Sequence, residues 1–261
     1  MAQMAVVQMN SITAEIDRNL KKAGDFIAAA AAKGAQLVVL PELFATGYRV
    51  DDYFSELAEP PDGKTVQLMA ESAGRYGLWI AGTFPEKNPN SDKPFNTMFM
   101  VNKDGLAAAY RKVHLWGNEP KYFTPGNKLT AWRTPVGRIG MLICYDISFP
   151  EPARAHAVAG ADLLLYAMAF GPAKREYALK SLATTRALEN TCYVGIANRT
   201  GTERESVFCG QSRIVAPDGS TVVSLGEEEA VAVAEIDLSL IAECREKYPY
   251  LKDRSEEVDR F

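Results

Sequence analysis

The stretch Arg138–Pro152, RIGMLICYDISFPEP, carries the information on which the rest of the chain hangs. Its apolar run Ile139–Ile143 predicts a buried strand that delivers Cys144 at its carboxyl end. Tyr145, Asp146 and Ile147 follow, then Ser148-Phe149-Pro150-Glu151. A serine three residues before a glutamate is the capping-box spacing, which predicts a helix over Ser148–Ala159. A cysteine in a sharp strand-to-helix turn has its thiol exposed and backbone N–H groups nearby. Those are the requirements for a thiolate nucleophile beside an oxyanion site. Taken alone, the same residue also fits a small buried hydrophobe.

Outward from this stretch, strands and helices alternate. Met4–Met9, Gln36–Leu40 and Leu78–Phe84 are predicted strands, with helices expected at Ala14–Lys33 and Lys64–Tyr76. Phe95–Val101 and Leu106–Tyr110 form a predicted hairpin across Asn102-Lys103-Asp104-Gly105. Past Cys144, strands are expected at Asp162–Tyr166, Cys192–Ala197, Gln211–Val215 and Ala230–Ile236, with a helix at Ala173–Asn190. Phe44–Pro61 reads as a long loop, and the stretch from Arg111 to Pro135 as irregular. Residues 245–261, from Tyr248 onward above all, read as an arm rather than core. No linker, composition shift or repeat divides the chain, so 1–261 is expected to form one layered α/β domain.

A net charge of −4 and a pI near 5.4 argue against nucleic acid as a partner. The cysteines, Cys144, Cys192, Cys209 and Cys244, show no CxxC pair, and with only His114 and His156 as histidines no metal site is expected. Nothing in them indicates a disulfide framework, which fits a reducing compartment. The N-terminus lacks a basic leader followed by a long apolar run, and no apolar run is long enough to cross a bilayer. A soluble, cytoplasmic protein with no membrane partner is the expectation.

Three polar residues stand at the ends of three predicted strands. Glu42 follows QLVVL, Lys112 follows LAAAY-R and Cys144 follows IGMLI. In open α/β sheets, ligand clefts lie beyond the carboxyl ends of strands, so these residues are placed to meet in one cleft. A carboxylate near a thiol can take its proton, and an adjacent ammonium stabilises the anion. Lysine can also hydrogen-bond the oxyanion formed when a thiolate attacks a carbonyl, with the Tyr145 N–H as second donor. Singly, Glu42 also reads as a loop charge and Lys112 as a surface lysine beside Arg111. Their coincidence lifts the cysteine above a packing role.

Pro41-Glu42-Leu43, Arg111-Lys112-Val113-His114-Leu115, and Cys144-Tyr145-Asp146 with Phe149-Pro150-Glu151 resemble the three signatures of the nitrilase superfamily of carbon–nitrogen hydrolases. Phe44-Ala45-Thr46-Gly47-Tyr48, Tyr122-Phe123-Thr124-Pro125-Gly126, Arg186-Ala187-Leu188-Glu189-Asn190 and Pro217-Asp218-Gly219 extend the resemblance over essentially the whole chain. It implies a four-layer α-β-β-α sandwich and a Glu-Lys-Cys triad of Glu42, Lys112 and Cys144. Glu119 matches a second glutamate that orients the lysine or positions the substrate. The implied reaction is hydrolysis of a small-molecule amide through a thioester, with no cofactor. A homodimer or larger homo-oligomer is implied as well, paired through the helices flanking the cysteine and reached by the C-terminal arm.

Tyr145-Asp146 stands where true nitrilases commonly carry Trp-Glu, which disfavours nitriles. Ile147-Ser148-Phe149 lacks the arginine that often follows the cysteine in N-carbamoyl amino acid hydrolases. The resemblance therefore points to an amidase for aliphatic or amino-acid-derived amides, with an omega-amidase or an N-carbamoyl amino acid hydrolase as alternatives and a nitrilase behind them. Tyr48, Trp116, Ala169 and Phe170 are candidate pocket residues, and Arg175 a candidate for a substrate carboxylate. In a continuing strand His114 points to the same side as Lys112. A structural role is expected for it, because Glu42 supplies the base. Asp146 is expected to accept hydrogen bonds from backbone or arginine, His156 to pack, and Cys192, Cys209 and Cys244 to be inert. A non-catalytic scaffold of the same fold is the competing class, disfavoured by the intact Glu42, Lys112 and Cys144.

Overall fold

Met4 and Val6 pack into one core while Ala5 and Val7 pack into another, and Leu37 and Val39 against Val38 and Leu40 repeat the split. Side chains alternate along a strand, so a strand apolar on both faces must be covered on both. The computed structural model describes residues 2–171 and 176–255, and it covers these strands with a second sheet on one side and helices on the other.

In chain order, strand β1 (Ala2–Gln8) is followed by helix α1 (Ile16–Ala32), β2 (Leu37–Val39), the short α2 (Phe54–Leu57) and α3 (Lys64–Tyr76). Strands β3 (Trp79–Glu86), β4 (Phe95–Asn102) and β5 (Gly105–Arg111) lead to one helical turn, α4 (Glu119–Tyr122). Strands β6 (Ala131–Thr134) and β7 (Gly137–Ile143) precede a 3-10 turn, Cys144–Ser148, and helix α5 (Pro150–Val158). Next come β8 (Leu163–Met168), α6 (Glu176–Asn190), β9 (Tyr193–Asn198) and the hairpin β10 (Thr200–Glu203) and β11 (Ser206–Cys209). Strands β12 (Arg213–Val215), β13 (Thr221–Ser224) and β14 (Ala230–Ile236) precede helices α7 (Leu238–Lys247) and α8 (Tyr250–Asp253).

One sheet has the order β14-β1-β2-β3-β4-β5 and the other β13-β12-β9-β8-β7-β6. Each has a parallel trio at its centre, β1-β2-β3 or β7-β8-β9, with antiparallel flanks. Helices α1 and α3 cover the first sheet and α5 and α6 the second, which makes the α-β-β-α sandwich that the resemblance implied. Among the described residues no helix is long and apolar enough to cross a membrane.

Some sequence expectations are corrected. The helix after the cysteine does not start at Ser148: Phe149 is extended, at φ −107° and ψ 124°, and the helix begins at Pro150. Proline disfavours the helical region for the residue before it, so the Ser148/Glu151 spacing forms no capping box. Strand β6 lies in the stretch expected to be irregular, and the hairpin β10–β11 lies between the strands expected at Cys192–Ala197 and Gln211–Val215, where no element is expected; all three strands are short and half-exposed. Helix α7 covers an unassigned segment and takes in residues 245–247 of the expected arm, with the Asp237 side chain capping it by accepting from the Ser239 N–H at 2.9 Å. The first residues of the helix expected over 173–190 lie outside the described residues. Cys192, Cys209 and Cys244 are buried, as expected of packing cysteines.

Gly140 sets how closely α5 lies on β7, since a Cβ there would sit 2.6 Å from His156 Cγ. Gly140→Ala is expected to destabilise the fold by about 1–3 kcal/mol through overpacking. Gly24, inside α1, has no atom within 4 Å of the place a methyl would take, so Gly24→Ala is expected to stabilise by about 0.5–1 kcal/mol. Denaturant midpoints that move the same way for both would refute this packing account.

Candidate active site

Glu42 stands three residues past β2, fully buried, in a turn where Leu43 takes a left-handed φ of 50°. The Leu43 N–H donates to Thr83 Oγ1 at 2.6 Å, which supports a conformation that a residue with a Cβ seldom takes. The Glu42 carboxylate is hydrogen-bonded on both oxygens. Oε1 accepts from Lys112 Nζ at 2.8 Å and from Asn96 Nδ2 at 2.8 Å, and Oε2 accepts from the Ala169 N–H at 3.0 Å.

Lys112 follows β5, and its ammonium has no exposure. It also donates to Glu119 Oε1 at 2.7 Å, an oxygen that the Tyr48 hydroxyl reaches at 2.7 Å. Glu119 Oε2 accepts from the Trp116 N–H at 2.8 Å. The result is an unbroken chain, Asn96–Glu42–Lys112–Glu119–Tyr48, buried up to its half-buried end at Tyr48.

The electrostatics follow from burial first. Burial raises the Glu42 carboxyl above its ordinary value, and Glu119 adds to this while Lys112 opposes it. Burial pushes the Lys112 ammonium down, but the charges of Glu119 and Glu42 outweigh it and hold the group protonated. Burial, with Glu42 and Glu119 adding, holds the Cys144 thiol well above its usual range, against the pull of Lys112 and of the Ala169 N–H. At neutral pH the thiol is therefore protonated, and its use as a nucleophile requires a base.

Cys144 sits at the turn between β7 and α5 with φ of 38°, and it is 7% exposed. Asp146 holds this turn. Its Oδ2 accepts from the Ile143 N–H at 2.9 Å and the Tyr110 hydroxyl at 2.7 Å, and Oδ1 accepts from the His114 N–H at 3.2 Å. His114 Nδ1 lies 2.8 Å from the same oxygen, and the ring stacks on Phe149 at 3.8 Å. The strand ends at Arg111, so His114 does not share the side of Lys112 and serves the Asp146 tether instead. Among the described residues the partners of Asp146 are thus backbone, tyrosine and histidine, with no arginine.

The geometry corrects one premise. Glu42 and Lys112 come from the first sheet, Cys144 and Ala169 from the second, and β5 is antiparallel to its neighbour. The residues meet between two stacked sheets, not in the crevice of one. The sheets are laced at this end: Met168 O accepts from the Glu42 N–H at 3.2 Å and from the Arg199 N–H at 3.0 Å.

Above Cys144 lies a cavity of about 330 Å³. Tyr48, Trp116, Tyr145, Ala169 and Phe170 line it together with Phe208 of the hairpin. Arg175 lies outside the described residues. No cluster of three or more His, Cys, Asp or Glu suited to a metal occurs among the described residues.

Two contributors escaped the sequence reading. Asn96 sits inside β4 and carries no motif. The fully buried pair Arg199–Glu203 places the Tyr48 loop, Glu203 accepting from the Tyr48 N–H at 2.9 Å and the Thr13 hydroxyl at 2.9 Å. Charges in Arg199-Thr200-Gly201-Thr202-Glu203 have the look of a solvated turn, and only the hairpin's position over the sheets buries them.

Residues 3–246 match the carbon-nitrogen hydrolase family model, and the chain belongs to that family, in an amidase-like branch of the nitrilase superfamily. It is a hydrolase of carbon–nitrogen bonds that works by cysteine-dependent chemistry. It is 37% identical to a nitrilase of Pyrococcus abyssi, covering 98% of each chain. It is 38% identical to an omega-amidase of Xenopus laevis over 92% of this chain and 90% of the other. Among solved structures, a mutant of the amidase from Nesterenkonia sp. AN1, with acrylamide added at its active-site cysteine, superposes with a TM-score of 0.87. That protein is 27% identical, with 100% of this chain and 99% of the other covered.

Asp146→Ala leaves the Ile143 N–H and the Tyr110 hydroxyl buried without acceptors. It is expected to destabilise the chain by roughly 3 kcal/mol or more, read from a urea midpoint at unchanged m. A loss under about 1 kcal/mol would show that the tether is not structural.

Proposed function

We propose that the chain is an amidase that cleaves small aliphatic or amino-acid-derived amides to the carboxylic acid and ammonia, with Cys144 as nucleophile. The observation that carries this reading is the buried Glu42–Lys112–Glu119 chain beside a protonated Cys144 at the cavity.

In this mechanism Glu42 takes the thiol proton as sulfur attacks the amide carbonyl carbon. Lys112 and the Tyr145 N–H hold the tetrahedral oxyanion. The C–N bond breaks, ammonia leaves with the proton from Glu42, and a thioester remains on Cys144. Water, giving its proton to Glu42, then attacks the thioester carbon; the C–S bond breaks, the acid leaves, and Glu42 returns the proton to the Cys144 sulfur. Glu119 positions Lys112. The raised pKa of Glu42 brings it toward the range of a useful base at neutral pH. No step calls for a cofactor. We further infer a soluble homodimer paired through α5 and α6; exposed Val158, Tyr177 and Leu188 on those helices support it.

Among the relatives one bears a nitrilase name and another an omega-amidase name. Tyr145-Asp146 after the cysteine favours amides over nitriles, and an omega-amide of a dicarboxylic acid is the second reading.

Ammonia release from short amides, omega-amides, N-carbamoyl amino acids and nitriles is the test, with Cys144→Ala as blank. Turnover confined to amides and lost in Cys144→Ala is expected; a preference for nitriles, or activity surviving in Cys144→Ala, refutes the reading. Glu42→Gln is expected to lose about 10²–10⁴-fold in kcat, and His114→Asn under about tenfold. The acid limb of kcat/KM is expected above 4.5, the ordinary value for Glu42. The Glu119 charge raises Glu42, so Glu119→Gln is expected to move that limb to lower pH; a shift to higher pH contradicts the assignment of Glu42 as base.

A further inference from the structure

Two ion pairs run in opposite senses between the loop after Tyr48 and the β10–β11 hairpin, and one of them lines the cavity. Arg49 Nη2 meets Glu205 Oε1 at 2.5 Å and Arg204 Nη1 meets Asp51 Oδ2 at 3.0 Å, tying the loop after Tyr48 to the turn between β10 and β11. Arg49 and Glu205 both line the cavity over Cys144. They are not held alike. The guanidinium also donates through Nη1 to Ser206 Oγ at 3.2 Å, with Asp51 Oδ1 3.8 Å from Nε, and its side chain is only 29% exposed. The Glu205 side chain is 69% exposed at the hairpin tip, and its contact with Arg49 is its one hydrogen bond among the described residues.

A guanidinium fixed from several sides presents a planar fork that fits any carboxylate. An exposed carboxylate held by one such contact is a weak partner that exchanges readily. We propose that Arg49 is the residue that selects the substrate's far end, taking a carboxylate there, and that Glu205 occupies this position in the substrate-free chain. The chemical class is a monoamide of a short dicarboxylic acid, its amide carbon at Cys144 and its carboxylate at Arg49. This rests on the amidase reading and makes its second form specific. Arg49 belongs to no signature noted in the sequence, and its partner lies 156 residues away.

The test compares kcat/KM for succinamate and for butyramide, which have the same carbon count and differ in carboxylate against methyl. Arg49→Met is expected to lower the succinamate-to-butyramide ratio about 10–100-fold, carried by KM. Glu205→Gln is expected to raise that ratio severalfold by removing the competing carboxylate, and it keeps the question open to test should Arg49→Met fold poorly. A ratio unmoved in Arg49→Met, or equal losses on both substrates in both variants, overturns the proposal and makes the pair a staple for the hairpin. Butyramide turnover that depends on Cys144 while the ratio stays put leaves the amidase reading standing. Turnover of neither substrate by the unaltered chain overturns the Arg49 proposal, and the ammonia-release panel then decides the amidase reading by itself.

Discussion

Lys112 carries an ammonium group with no exposure to water, and burial alone drives such a group toward its neutral form. Glu42 at 2.8 Å and Glu119 at 2.7 Å reverse that tendency, and each carboxylate is then itself a buried charge that needs further donors. Asn96 and the Ala169 N–H supply them for Glu42, Tyr48 and the Trp116 N–H for Glu119. These donors arise from β4, the end of β8, the loop after Glu42 and the turn before α4. Removing one partner of a buried ion pair leaves the other uncompensated, so the charged core binds the two sheets together as well as preparing a reactive site.

The cysteine is held by a second arrangement that shares no side chain with the first. Asp146 ties the turn at Cys144 to Tyr110 and His114 across the sheet interface, so both halves of the site are fixed by contacts between sheets. Burial that keeps the thiol protonated also keeps Glu42 near the range where it can accept a proton. On the proposed mechanism the two shifts belong together. A thiol without a standing anion avoids indiscriminate reaction, and the neighbouring carboxylate draws its proton only as the bond to carbon forms.

Much of the layering was legible because it rests on short-range pattern. The run Leu37–Val39 and the run Ile139–Ile143 are apolar without interruption, which is what strands covered on both faces look like. The three strand-end residues were readable for the same reason. Their meeting between two sheets was not, since nothing local says that Glu42 and Cys144 belong to different sheets. Ser148 and Glu151 have capping spacing, yet Pro150 overrides it through the backbone of Phe149. His114 was placed beside Lys112 only by extending a strand that stops at Arg111. Arg199, Glu203 and Asn96 act through partners distant in sequence, and polar residues of that kind have no periodicity to betray them.

The chemistry ascribed to Cys144 has a signature that geometry alone does not carry: a thioester that forgets which leaving group made it. An amide and the matching ester of one acid, each turned over in the presence of hydroxylamine, report on it through the ratio of hydroxamate to free acid. A common acyl-enzyme requires the same ratio from both substrates at each hydroxylamine concentration, with neither product formed by Cys144→Ala. Ratios that differ between amide and ester would show that water attacks the substrate directly, and Cys144 would then hold some role other than nucleophile.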